Sequence, residues 1–172
     1  MLARLFMGAL GALAAASSAF AHITLERREA AVGASYKAVM LVPHGCGGSP
    51  TTAIRVRIPE GIIGVKPMPK PGWKLDTVSG KYPRAYSVNG VKASEGVTEV
   101  RWSGGMLPAA FYDEFVFIGS IADELDAGRT IYFPVVQECQ KGIHRWIEIP
   151  VAGHAHDEPS EPAPALKLLP RE

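Results

Sequence analysis

The sequence predicts an antiparallel β-sandwich. Three features carry that expectation: about eight short stretches rich in β-branched and aromatic residues, 18 glycines and 14 prolines dispersed between them, and almost no apolar repeat of helical period. No internal repeat and no second domain is visible.

The chain opens with Arg4, an apolar run from Leu5 to Ala16, and Ala19-Phe20-Ala21, the Ala-x-Ala pattern at which export signals are cut. The run is too short to span a bilayer, and no later apolar run of roughly 18 residues follows. Residues 1–21 are therefore expected to be a cleaved signal peptide, residues 22–152 the β-sandwich domain, and residues 153–172 a disordered Pro- and Glu-rich tail. The expected location is the periplasm, with no membrane anchor on the mature form.

Ile23-Thr24-Leu25 reads as a short first strand, and the charged segment Glu26-Arg27-Arg28-Glu29 with Gly33 turns the chain. Tyr36 to Val42 suits a half-buried pleat and is stopped by Pro43. The loop His44-Gly45-Cys46-Gly47-Gly48-Ser49-Pro50 specifies irregular backbone. In Thr52 to Ile58, residues Ile54, Val56 and Ile58 share one face and Arg55 and Arg57 the other, the clearest strand of the chain. Ile62 to Val65 is a further short strand, Lys66 to Gly72 is polyproline-like, and Trp73-Lys74-Leu75 restarts a strand with Trp73 in the core.

From Thr77 to Ser94 the pattern is weak, apart from a tight hairpin at Asn89-Gly90. Gly96 to Trp102 alternates, Gly104 to Pro108 is a loop, and Tyr112 to Ser120 is a mostly apolar strand. Ile121 to Asp126 is expected to form one helical turn, closed by Gly128. Thr130 to Cys139 reads as one long extended run, and Lys141-Gly142 turns it into a last strand from Ile143 to Pro150.

With 18 Lys and Arg against 17 Asp and Glu, and Arg4 departing with the signal, the mature side chains carry almost no net charge. Nucleic acid and anionic lipid are not expected partners. The two cysteines, Cys46 and Cys139, are expected to form a disulfide in an oxidising compartment. Closing so long a loop stabilises a fold by roughly 4 kcal/mol.

Processing after Ala21 makes His22 the first residue and gives it an α-amine. The amine and the ring nitrogen then chelate one ion, a pair suited to the tetragonal geometry of Cu(II). His144 and Trp146, two apart on a strand, share a face. The bland alternative is that Trp146 fills the core and His144 caps it. His44 stands two residues from Cys46, so a Cys46–Cys139 bridge would hold it beside the turn leading to His144 and Trp146. His154 and His156 form a His-x-His in the tail without a rigid scaffold, and Met40, Met68 and Met106 are scattered thioethers better read as filler. Asp113-Glu114 reads as solvated charge at a sheet edge. No Ser/His/Asp or phosphate-loop pattern occurs, so catalysis is not expected.

Several of these pieces together resemble the YcnI-like family of bacterial exported copper-binding domains: His22-Ile23-Thr24-Leu25 after the signal, Tyr36, Val42-Pro43, Ser49-Pro50-Thr51-Thr52, Ile58-Pro59-Glu60-Gly61, Lys70-Pro71-Gly72-Trp73 and Trp146. The resemblance implies an immunoglobulin- or cupredoxin-like sandwich that holds Cu(II) in a mono-histidine brace at His22, with Trp146 as the neighbouring indole. It also implies a carboxylate near the loop after the second strand, yet Pro43 to Pro59 contains no Asp or Glu. His44 is the expected replacement.

The sequence thus leads to a periplasmic Cu(II)-binding protein that stores, buffers or delivers the ion alongside other copper-homeostasis proteins. A copper oxidase acting on a polymer and a metal-free envelope module are the alternatives.

Overall fold

The computed structural model describes residues 22–150 and 160–171. The expected signal peptide, His154 and His156 lie outside the described residues. The strands run β1 (Thr24–Leu25), β2 (Glu29–Ala31), β3 (Ser35–Val42), β4 (Thr51–Arg57), β5 (Ile62–Pro67), β6 (Lys74–Val88), β7 (Val91–Leu107), β8 (Asp113–Ile121), β9 (Thr130–Tyr132), β10 (Val135–Cys139), β11 (Ile143–Trp146) and β12 (Ala165–Leu169). One antiparallel sheet has the order β1-β3-β8-β5, a second β11-β10-β4-β7-β6, and a small third β2-β12-β9.

Alternation decides which faces meet. Tyr36, Ala38, Met40 and Val42 of β3 point inward with Phe115 and Phe117 of β8; opposite them lie Ile54 and Val56 of β4 and Val100 and Trp102 of β7. Trp102 and Phe115 touch across the layers, ring centroids 5.6 Å apart. The expected all-β sandwich is therefore the observed fold. Tyr36 also donates its hydroxyl proton to the Arg27 carbonyl at 2.6 Å, tying down the charged turn. Burial, partly offset by nearby Arg27, holds that phenol well above its ordinary pKa.

The weakly patterned stretch proves to be half of the longest hairpin, β6 with β7, turned at Asn89 (φ 49°) and Gly90 (φ 80°) with Val88 opposite Val91. Most of β6 is exposed, so no buried face impressed a period on its sequence. The expected helical turn after Ile121 is absent: Ile121 completes β8, and the Leu125 N–H bonds the Ala122 carbonyl in a simple turn. Lys66 and Pro67, read as polyproline-like, extend β5 instead, past a register shift at Gly64. The single run expected from Thr130 to Cys139 is broken at Phe133-Pro134, where the chain passes from the third sheet to the second. Proline has no N–H to give to a ladder, which suits it to that crossing.

The largest correction concerns the tail. The sandwich does not stop at residue 152, because β12 is the central strand of the third sheet, parallel to β2 and antiparallel to β9. Leu166 and Leu168 are fully buried while Lys167 faces solvent. The alternation was in the sequence, but it is five residues long and comes after a Pro-rich stretch whose composition masked it. Leu168→Ala should lower the unfolding free energy by roughly 2–4 kcal/mol, and Lys167→Ala by less than about 0.5 kcal/mol; equal effects in urea titrations would show that this strand is not docked.

Candidate metal centre

Gln137, in the middle of β10, is 1% exposed and lies opposite His144 of β11 on one side and Ile54 of β4 on the other. A buried primary amide has two protons to give and a carbonyl to satisfy. Here the nitrogen donates to the His44 carbonyl at 2.7 Å and to Thr51 Oγ1 at 2.8 Å, and the oxygen accepts the Trp146 indole N–H at 3.0 Å. One side chain thus fixes the orientation of Trp146 and the backbone of the His44 loop.

A second tie reaches the same loop. Cys46 and Cys139 form the expected disulfide, with Cα atoms 6.0 Å apart, anchoring the loop to the end of β10. Within the loop, Cys46 and Ser49 exchange backbone hydrogen bonds across Gly47 (φ 53°) and Gly48 (φ 84°), which occupy the left-handed region. Gly45 has no room for a side chain: a Cβ there would stand 1.9 Å from the Ser49 carbonyl oxygen.

The sheets bring the predicted residues together. β1 pairs with β3 so that Thr24 faces Leu41, and continuing that register sets residue 22 beside Pro43, one residue from His44. The exposed His22 ring lies 5.4 Å from that of Trp146, which is buried. His144 overlies the same indole at 4.9 Å, and His44 meets His144 edge-on at 6.3 Å. His22, Trp146, His144 and His44 therefore form a continuous row of rings. Two clefts flank His22. One of about 320 Å³ is walled by Arg28 and by Pro162 to Ala165, and one of about 450 Å³ by Leu41, Pro43 and Tyr112.

Sequence reasoning missed Gln137 and Glu161. Glu161 comes from the carboxyl-terminal segment, and its Oε1 lies 2.6 Å from His144 Nδ1 while its Oε2 accepts the Arg145 N–H at 2.8 Å. Burial raises its pKa, but the bonds and charges of His144 and Arg145 outweigh that and hold it below the ordinary glutamate value. An ionised carboxylate only accepts, so Nδ1 is the donor in this contact, and in the neutral ring that leaves the lone pair on Nε2. Nothing in the local composition around Glu161 signalled this; β12 carries it there.

Other candidates lie elsewhere. Met40 is core, and Met68 and Met106 are exposed. Asp113 accepts from Lys70 Nζ at 2.6 Å and from the Glu114 N–H at 2.8 Å, a structural role.

Among the described residues, no three His, Cys, Asp or Glu side chains are already gathered as a metal cage. With a free amine at His22 the residues would fit an ion held mainly there: an exposed imidazole at His22, a buried indole beside it, and a second imidazole at His144.

Residues 22–168 match the model of a family described as a domain of unknown function, DUF1775. The chain belongs to the DUF1775 family. YcnI-like proteins are DUF1775 domains, so the resemblance read from the motifs holds at the level of the family. The matched region begins at His22 and ends inside β12, so the DUF1775 domain includes the carboxyl-terminal strand. No curated protein matches the chain. Among solved structures, the crystal structure of an uncharacterized protein from Nocardia farcinica, described as revealing an immunoglobulin-like fold, is similar: 26% identity, TM-score 0.63, covering 86% of this chain and 98% of that one. The disulfide of this DUF1775 domain accords with an oxidising compartment outside the cytoplasm.

Gln137→Leu removes three buried hydrogen bonds at similar volume. It should cost roughly 2–4 kcal/mol in urea unfolding, because the indole N–H and the His44 carbonyl lose their partner; an unchanged midpoint would contradict the role given to this amide.

Proposed function

We propose that the exported protein binds Cu(II) at its first residue, His22, and stores, buffers or delivers the ion in the periplasm together with other copper-homeostasis proteins. The observation that carries this reading is the position of His22: exposed, at the head of β1, with its ring 5.4 Å from the buried indole of Trp146. Removal of residues 1–21 would convert the His22 nitrogen from an amide, a poor ligand, into an amine. Amine and imidazole of one residue then close a chelate ring on the ion.

The surroundings support binding rather than turnover. Trp146 is held by Gln137 and cannot swing away, so one flank of the ion would be shielded from water by an immobile aromatic face. His144 and His44 continue the row as further nitrogen donors. The ion is cargo, and these residues bind and orient it.

A Cu(II) titration against a competing chelator should give two outcomes. One alanine added ahead of His22 should abolish tight uptake, since it returns the nitrogen to a peptide bond; unchanged uptake would reject the chelate. Affinity should fall by on the order of tenfold for each pH unit below the α-amine reference pKa of about 8, because protons compete for that nitrogen.

A further inference from the structure

The carboxyl-terminal segment does more than complete a sheet. Just before β12 it runs beside the end of β11, where the Glu148 N–H donates to the Glu161 carbonyl at 3.1 Å and the Ala163 N–H to the Glu148 carbonyl at 2.9 Å. The fully buried Leu166 and Leu168 lock β12 itself into the third sheet. Glu161 is therefore held by its own backbone, and its side chain reaches back to β11. There it grips two adjacent residues, His144 through the ring and Arg145 through the backbone N–H.

That grip has a chemical direction. With Oε2 fixed by a backbone N–H, Oε1 is set 2.6 Å from Nδ1, where it accepts the Nδ1–H of a neutral ring and leaves the lone pair at the opposite edge. The same ring lies 4.9 Å from Trp146, whose other neighbour is His22. A carboxylate behind an imidazole is the arrangement that fixes tautomer and orientation of metal-ligating histidines. Both oxygens of Glu161 are engaged, so it acts on the ring rather than on the ion.

We propose that Glu161 is a positioning residue of the metal site: it holds His144 as the Nδ1–H tautomer, so that Nε2 serves as the second imidazole donor to the ion chelated by His22. This rests on the proposed copper binding at His22. It makes the carboxyl-terminal segment part of the binding site.

Two measurements test it, both on the protein that begins at His22. In the metal-free state, long-range ¹H–¹⁵N correlation of the His144 ring should show the Nδ1–H tautomer. Glu161→Ala should shift the ring toward Nε2–H, and so should Glu161→Gln, because the Arg145 N–H claims the single amide oxygen and leaves the NH2 group facing Nδ1. With Cu(II) added, electron spin-echo modulation should count two imidazoles in the wild type and one in His144→Ala. Glu161→Ala should weaken binding by about 10- to 100-fold, and the isosteric Glu161→Gln should weaken it as well, since its NH2 group favours the Nε2–H tautomer. Amide spectra of the variants establish that each remains folded. A single imidazole in the copper-loaded wild type, or a tautomer and affinity indifferent to Glu161→Ala, overturns the positioning role and leaves the His22 chelate standing. A wild type that takes up no copper overturns the copper reading itself, and this inference with it.

Discussion

The buried amide of Gln137 is the joint on which the candidate centre depends. It sits where three pieces of chain meet, and its hydrogen bonds reach all of them: the loop at His44, the strand at Thr51 and the indole of Trp146. An amide left unpaired in such a place would cost about 1–3 kcal/mol for each unmet group. The three partners are therefore held in one mutual arrangement, and the Cys46–Cys139 bridge closes the same region covalently. Both devices stiffen the same end of the sandwich.

Around that rigid end the chain gathers groups from distant parts of its length. The first described residue arrives through the pairing of β1 with β3, the glycine loop through the disulfide, the His144 and Trp146 pair through the edge strand β11, and Glu161 through β12. None of these is adjacent in sequence to more than one other. A row of aromatic rings from His22 to His44 results, with an exposed histidine at its open end and a buried indole next to it. The immunoglobulin-like neighbour from Nocardia farcinica shares this scaffold.

Much of the fold was legible because burial writes a period into a strand. In β4, Ile54 and Val56 alternate with arginines since one face meets the core, and Asn89-Gly90 announced its turn through the positive φ both residues adopt. Where burial is one-sided and slight, as along β6, the period vanishes and so did the reading. The tail failed for another reason: two buried leucines suffice to dock β12, too few to stand out against prolines and glutamates. Within the centre, histidines, tryptophan and cysteines advertise their chemistry by type. Gln137 and Glu161 do not, since a glutamine or glutamate acquires a role only from what the fold sets beside it.

The binding chemistry proposed for this domain begins with a nitrogen that the full-length chain keeps in a peptide bond, so the identity of the mature first residue matters more than any side chain. Intact mass and amino-terminal fragment spectra of the protein recovered from the cell envelope measure it directly. A mature chain starting at His22 is the expected result. A chain that keeps Ala21, or starts beyond His22, would contradict the chelate and the copper function built on it.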